Sequence, residues 1–272
     1  MTVGGLDDQT GATAAYARAT LPGLVGAAAP PALAAECQQS VARYLRWEYT
    51  TALPYDSTER TRLADCARIA ADRALAARTP NARPAERTAN EVMLDNLATH
   101  FARERGSAER GADAAPDRDL VMARNFEWWS ARLPRDARIV VWTATTHAAR
   151  APGAKPVRPR GVLPLGARLV ERWGDSLAVI GFTALQGQWA RAGRPSQSLT
   201  PLPPNALEAL AFAGRVSGDT AGWAYLDQGT LRTLGSVPSR LFGNITTADW
   251  STAFDGVVVI RDEGAPTFEP RR

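Results

Sequence analysis

Lysine is almost missing from this 272-residue chain. Of its 32 basic residues one is Lys155, which leaves 31 arginines. The arginines are scattered beside Asp and Glu, with no run of five like charges, so the net charge of +4 does not describe a nucleic-acid surface. Histidine is scarce too: His100 and His147 stand far apart, and no His-Glu-x-x-His segment occurs, which removes the usual zinc hydrolase plan. Only two cysteines occur, Cys37 and Cys66, without a Cys-x-x-Cys spacing. They read as two buried thiols in a reducing compartment. There is no Gly-x-Ser-x-Gly elbow, no Gly-x-Gly-x-x-Gly and no P-loop, so a conventional serine hydrolase and a nucleotide or dinucleotide site are unsupported. No cofactor and no metal is expected.

Long apolar runs are absent as well. Leu21–Ala35 carries Pro22, Pro30 and Pro31 and is too short to span a bilayer. Met1–Gly11 has no basic start and contains Asp7 and Asp8, unlike a secretory signal. The expected protein is soluble and cytoplasmic. A start codon placed too far downstream would hide a signal peptide.

What is present is ordinary globular material, 45% hydrophobic and 22% charged. Leu33, Cys37, Val41, Tyr44 and Glu48 step at helical spacing. Asp56 followed by Glu59 starts a second helix, with Leu63, Cys66, Ala70 and Ala74 inward. Pro80–Pro84 breaks the pattern, and Met93, Leu97 and Phe101 mark a third helix before a polar loop at 106–116. His100 sits on the flank of that helix.

The pattern then changes. A helix over 118–133 precedes Ala137–Trp142, a consecutive apolar run of strand length, as expected for a strand covered on both faces, with Trp142 in the core. A helix over 162–173 ends at Gly174, and 177–182 reads as another buried strand. A short helix near 205–213 and strands at 222–226 and 257–261 follow. Such alternation predicts an α/β fold with a mainly parallel sheet flanked by helices. Residues 1–110 form an N-terminal helical lobe in this reading. Residues 111–272 form the α/β domain with the His147 loop.

The segment Arg118-Asp-Leu-Val-Met-Ala-Arg-Asn125-Phe-Glu-Trp-Trp, followed by Val140-Val-Trp142-Thr-Ala144-Thr145-Thr146-His147, resembles the erythromycin-esterase-like hydrolases. Leu165-Gly166-x-x-Leu169, Arg172-Trp-Gly174-Asp, Ala178–Thr183, Gly187 and Phe254–Ile260 are similar to later parts of that family, and Gly4–Gln9 to a mid-chain segment. The resemblance implies hydrolysis of a carboxylic ester or macrolide lactone by histidine-activated water, the chemistry of macrolide resistance. It also exposes departures. Ala144 stands where the family has its first histidine and Thr145 where it has asparagine, and the family's Gly-Glu-x-x-His-Gly segment has no counterpart.

His147 is the catalytic candidate, as base or electrophilic helper, since imidazole titrates near neutral pH. The bland reading is a histidine that only hydrogen-bonds within a loop. Asn125, Thr145, Thr146 and Arg150 are the substrate-binding candidates. Asn125 either orients substrate or binds a neighbouring backbone carbonyl. Arg150, Arg158 or Arg160 could neutralise a product carboxylate, against the alternative of solvated surface arginines. Three functions compete: a hydrolase in truncated or degenerate form, a non-catalytic relative that binds a small hydrophobic molecule, and a half-protein whose sheet a partner chain completes. The expected partner is a small hydrophobic ester or lactone, with no nucleic acid and no membrane. Oligomeric state is open.

Overall fold

Cys37, Val41 and Leu45 recur every fourth residue, so a helix that carries them buries one face. The computed structural model describes residues 4–8, 15–77, 86–109, 117–150, 163–190, 195–213 and 222–265. The expected breaker at 80–84, most of the expected loop at 106–116, and Arg158 and Arg160 lie outside the described residues. The chain divides into two units, Met1–Ala137 and Arg138–Arg272.

The first unit is helical: α1 (Ala15–Ala28), α2 (Pro31–Arg46), α3 (Ser57–Ala76), α4 (Ala89–Glu109) and α5 (Arg118–Ser130). Helix α2 opens with proline at its first position, where the missing N–H costs nothing. It closes at Trp47, whose φ of 54° is left-handed, with the Glu48 N–H bonded to the Arg43 carbonyl. The Trp47 ring packs on Tyr49 and Tyr55 at 5.4 and 5.3 Å between centroids. At the start of α3 the Asp56 carboxylate accepts the Glu59 N–H at 2.9 Å, the cap expected from sequence. The Glu59 side chain bonds Arg62 and Arg43. Leu21, Val25, Val41, Leu45, Leu63, Ala67, Leu94, Leu97 and Phe101 form the core.

Two expectations fail in this unit. Cys37 and Cys66 are not free thiols but a disulfide, their Cα atoms 5.3 Å apart. The inner faces of α2 and α3 bring them together, and spacing along the chain could not reveal that. His100 is not a flank residue. It is 5% exposed, with Nε2 2.8 Å from the Tyr44 hydroxyl.

The second unit contains α6 (Thr145–Ala148), α7 (Leu165–Trp173), β1 (Ile180–Trp189), β2 (Gln197–Ser198), α8 (Leu207–Leu210), β3 (Trp223–Asp227), α9 (Gln228–Leu234), β4 (Ser236–Ser239), β5 (Thr246–Asp249) and β6 (Gly256–Glu263). Helix α7 stops at Gly174, whose positive φ of 50° suits the residue expected there. Four strands lie in the order β2-β1-β6-β3, and β4 and β5 form a separate pair.

The sheet is mixed and not mainly parallel. Among the described residues only β1 and β6 run parallel, in the register Ile180 to Gly256 through Gly187 to Glu263. The pairs β1–β2, β3–β6 and β4–β5 are antiparallel. Alternation of helix and strand predicts parallel pairing only if each connection crosses over the sheet. Here the chain between β3 and β6 includes the antiparallel pair β4–β5.

The expected strand over 137–142 does not form. Residues 137–144 have no regular structure, and Val140 and Trp142 are 88% and 80% exposed. Trp142 therefore leaves the core; its ring meets Phe182 at 5.2 Å. The core uses Leu207, Leu231, Trp250, Phe254, Val257 and Val259. The indole N–H of Trp250 donates to the Val237 carbonyl at 2.9 Å, so the largest buried ring keeps its donor satisfied.

Candidate active site

His147 lies on α6, a single helical turn that follows the irregular stretch 137–144. Its N–H donates to the Ala144 carbonyl at 2.8 Å, and the Ala149 N–H to the Thr145 carbonyl at 3.2 Å. Four residues cannot hold a helix by themselves. Outside contacts fix the turn. At its start the Thr145 hydroxyl donates to the Phe182 carbonyl of β1 at 3.1 Å.

At its end the Arg150 N–H donates to the Ala253 carbonyl at 3.0 Å. The Arg150 guanidinium pairs with Asp255 and reaches the Leu177 carbonyl at 3.2 Å. The Asp255 carboxylate also accepts the Val179 N–H at 2.7 Å, while the Asp255 N–H donates to the Val179 carbonyl at 2.8 Å. Arg150 and Asp255 thus join the end of the His147 turn to the entries of β1 and β6.

Gly166, at the start of α7, makes the third contact. A Cβ there would meet the Ala148 carbonyl group and come within 2.7 Å of the Ala149 oxygen. Only glycine permits that approach of two backbones. The His147 side chain is half-buried, as are Thr145 and Thr146. Ala144, where the resemblance places a histidine, is exposed. Of the candidates named from sequence, His147, Thr145, Thr146 and Arg150 belong to this one turn and its end.

Asn125 belongs to the first unit. It is 5% exposed on α5, and its amide donates to the Leu6 carbonyl at 2.7 Å. The segment Gly4–Asp8 is held along its length. Trp129 donates to the Gly5 carbonyl at 3.2 Å, Arg118 pairs with Asp7, and Arg103 reaches both Asp8 oxygens at 2.6 Å. Burial pushes the Asp8 carboxyl up, and Arg103 pulls it back. Nearby, burial first and Arg103 second lower the His100 imidazole to about 4. Asp8 is a buried polar group whose burial the sequence did not announce, and His100, read there as a helix-flank residue, is buried too. Their only signal was an ionisable residue on an otherwise apolar helix face or beside a Gly-Leu pair.

Glu208 was also missed. It is fully buried on α8, and its Oε1 accepts the Thr183 and Ser239 hydroxyls at 2.7 Å each and the Arg240 N–H at 3.0 Å.

Among the described residues no helix is long and apolar enough to cross a membrane. No curated protein matches the chain. A crystal structure of a Bacillus cereus protein shares its fold, with a TM-score of 0.57 at 14% identity over 96% of this chain. This chain spans 66% of the length of that one. The sequence model of the erythromycin esterase family aligns with residues 3–263, nearly end to end. That match includes the His147 turn, its Gly166 support and the β1–β6 pair, and by it the chain belongs to the erythromycin esterase family.

Proposed function

We propose that this chain acts on a carboxylic ester or macrolide lactone through water activated by His147, in a degenerate form of the family's site. The observation that supports this most is the fixing of a half-buried imidazole on a one-turn helix, held by Thr145 to β1, by Arg150 to Asp255 and by Gly166 to α7. Imidazole has an ordinary pKa near 6.5, which suits a general base at neutral pH. In the reaction the base takes a proton from water, and the water oxygen bonds to the acyl carbon. The bond from that carbon to the alkoxy oxygen breaks, and the proton passes to the departing alkoxide. A carboxylic acid and an alcohol result.

Thr145 and Thr146 would touch the substrate from the same turn. Arg150 would lend positive charge to a product carboxylate while Asp255 holds it. Asn125 stays a substrate-binding candidate in this reading, with its amide bonded to the Leu6 carbonyl. The substrate is a small hydrophobic molecule in this reading. Neither nucleic acid nor membrane is a partner.

A second reading is a non-catalytic relative that binds such a molecule without turnover. It is favoured by exposed Ala144, which has no proton to exchange where the family has a histidine, and by the Thr145 hydroxyl, already bonded to Phe182. One assay separates the two: incubation of the purified chain with an aryl ester and with a macrolide. Turnover lost in His147→Ala supports the hydrolase. Saturable binding with no product supports the binder.

A further inference from the structure

The sheet of the second unit has two unlike faces. Side chains alternate along each strand, and residues paired across strands share a face. Val257, Val259, Ala224 and Leu226 belong to the buried core. The pairings Phe182–Val258–Tyr225 and Ile260–Trp223 put these five residues on the opposite face. There Phe182, Tyr225, Trp223 and Ile260 are between 36 and 59% exposed, and Val258 is half-buried. A Cβ at Gly256 would collide with the Tyr225 ring, so this glycine lets the ring lie down against the sheet. The Trp142 ring, 80% exposed, joins them by its contact with Phe182.

None of these six residues is charged. Asp227 bounds the shelf at one end, and Asp262, bonded to Gln186, at the other. The occupant it suits is neutral and apolar. At these exposures the aromatic rings offer roughly 350–600 Å². A patch of that size on a monomer is often functional. It falls short of the about 800 Å² that each partner gives to a standard protein interface, which argues for a small molecule over a second copy. The shelf is also continuous with the His147 turn. The Thr145 hydroxyl donates to the Phe182 carbonyl, and Trp142 precedes Thr145 by three residues.

We infer that Trp142, Phe182 and Tyr225 determine specificity at the His147 site by taking a neutral, flat ring system carried by the ester. Ring-on-ring contact adds to the burial of area, a gain that a linear chain does not receive. Binding a group remote from the reacting bond is a way to position that bond. The inference rests on the hydrolase reading for what happens at the carbonyl, whereas seating of the ring is a binding event that can be measured alone.

The test titrates the whole chain with two ketones that cannot be hydrolysed, 2-acetonaphthone and linear 2-nonanone, followed by amide resonances. The ring ketone should bind about 3–10-fold tighter and shift Phe182, Val258 and Ile260. Trp142→Ala, a change at an exposed side chain that leaves the fold intact, should remove that preference, and Trp142→Phe should keep it. Equal affinity for the two ketones, or shifts confined to residues off this face, overturns the inference. So does a dimer in sedimentation that Trp142→Ala dissociates. Ring-ketone binding at the shelf without ester turnover keeps the shelf and removes the hydrolase reading. Turnover lost in His147→Ala, with no ketone at the shelf, does the reverse.

Discussion

The Thr145 hydroxyl bonds the Phe182 carbonyl at 3.1 Å, so the turn that carries His147 hangs on the strand that runs parallel to β6. The catalytic candidate is therefore placed by a sheet contact at one end of the turn and by the Arg150–Asp255 pair at the other. A histidine on a free loop would have neither.

Gly166→Ala should disturb that placement. The added methyl meets the Ala148 carbonyl group, and backbone does not move aside as a flexible side chain would. Overpacking of this kind costs about 1–3 kcal/mol. Urea denaturation should show the loss, and the His147 ring resonances should shift. Unchanged stability with unchanged resonances would contradict the described packing of α6 on α7.

Reduction of Cys37–Cys66 should destabilise the first unit. The bridge closes a loop between residues 29 apart in sequence. Chain-entropy estimates for loops of this length give about 3–4 kcal/mol. Thermal unfolding with and without reductant reads the effect, and Cys37→Ala/Cys66→Ala should melt as the reduced protein does. Persistence of the bridge also requires an oxidising environment.

Acid should weaken the first unit through His100. The folded imidazole is lowered from 6.5 to about 4, mainly by burial and then by Arg103, with Arg118 acting in the same direction and Asp7 against it. The unfolded chain therefore takes up the proton first. The contribution is complete above pH 6.5 and is lost as pH falls toward 4, by about 3 kcal/mol in total. Stability measured between pH 7 and pH 4 should fall less steeply in His100→Gln. Equal slopes in both proteins would assign the acid sensitivity to other groups.

Val140→Lys should leave stability within about 0.5 kcal/mol, since the side chain is 88% exposed. A loss of several kcal/mol on chemical denaturation would restore the buried strand that the run Ala137–Trp142 suggested.

That run shows where sequence reading stops. Consecutive apolar residues state that burial is wanted, yet they do not name the neighbour that provides it. Helices α2, α3 and α7 were legible because their signals are local: the Cys37, Val41 and Tyr44 spacing, the Asp56 cap, and the Gly174 stop. The strands at Trp223–Asp227 and Gly256–Glu263 were legible for the same reason. Their directions were not, because pairing joins residues far apart, as Tyr225 with Val258.

The candidate site divides in the same way. His147, Thr145 and Gly166 could be named from motif order. Glu208 could not, because its donors stand 25 to 32 residues away. His100 was misread because its partner Tyr44 is 56 residues earlier.

The central claim is that the His147 imidazole is the base of an ester or lactone hydrolase. Its most direct test is kcat/KM for an aryl ester in wild type and His147→Ala, with melting temperature confirming that both are folded. Loss of a general base should lower the rate by about 10²–10⁴-fold. Equal rates in the two folded proteins would contradict the assignment.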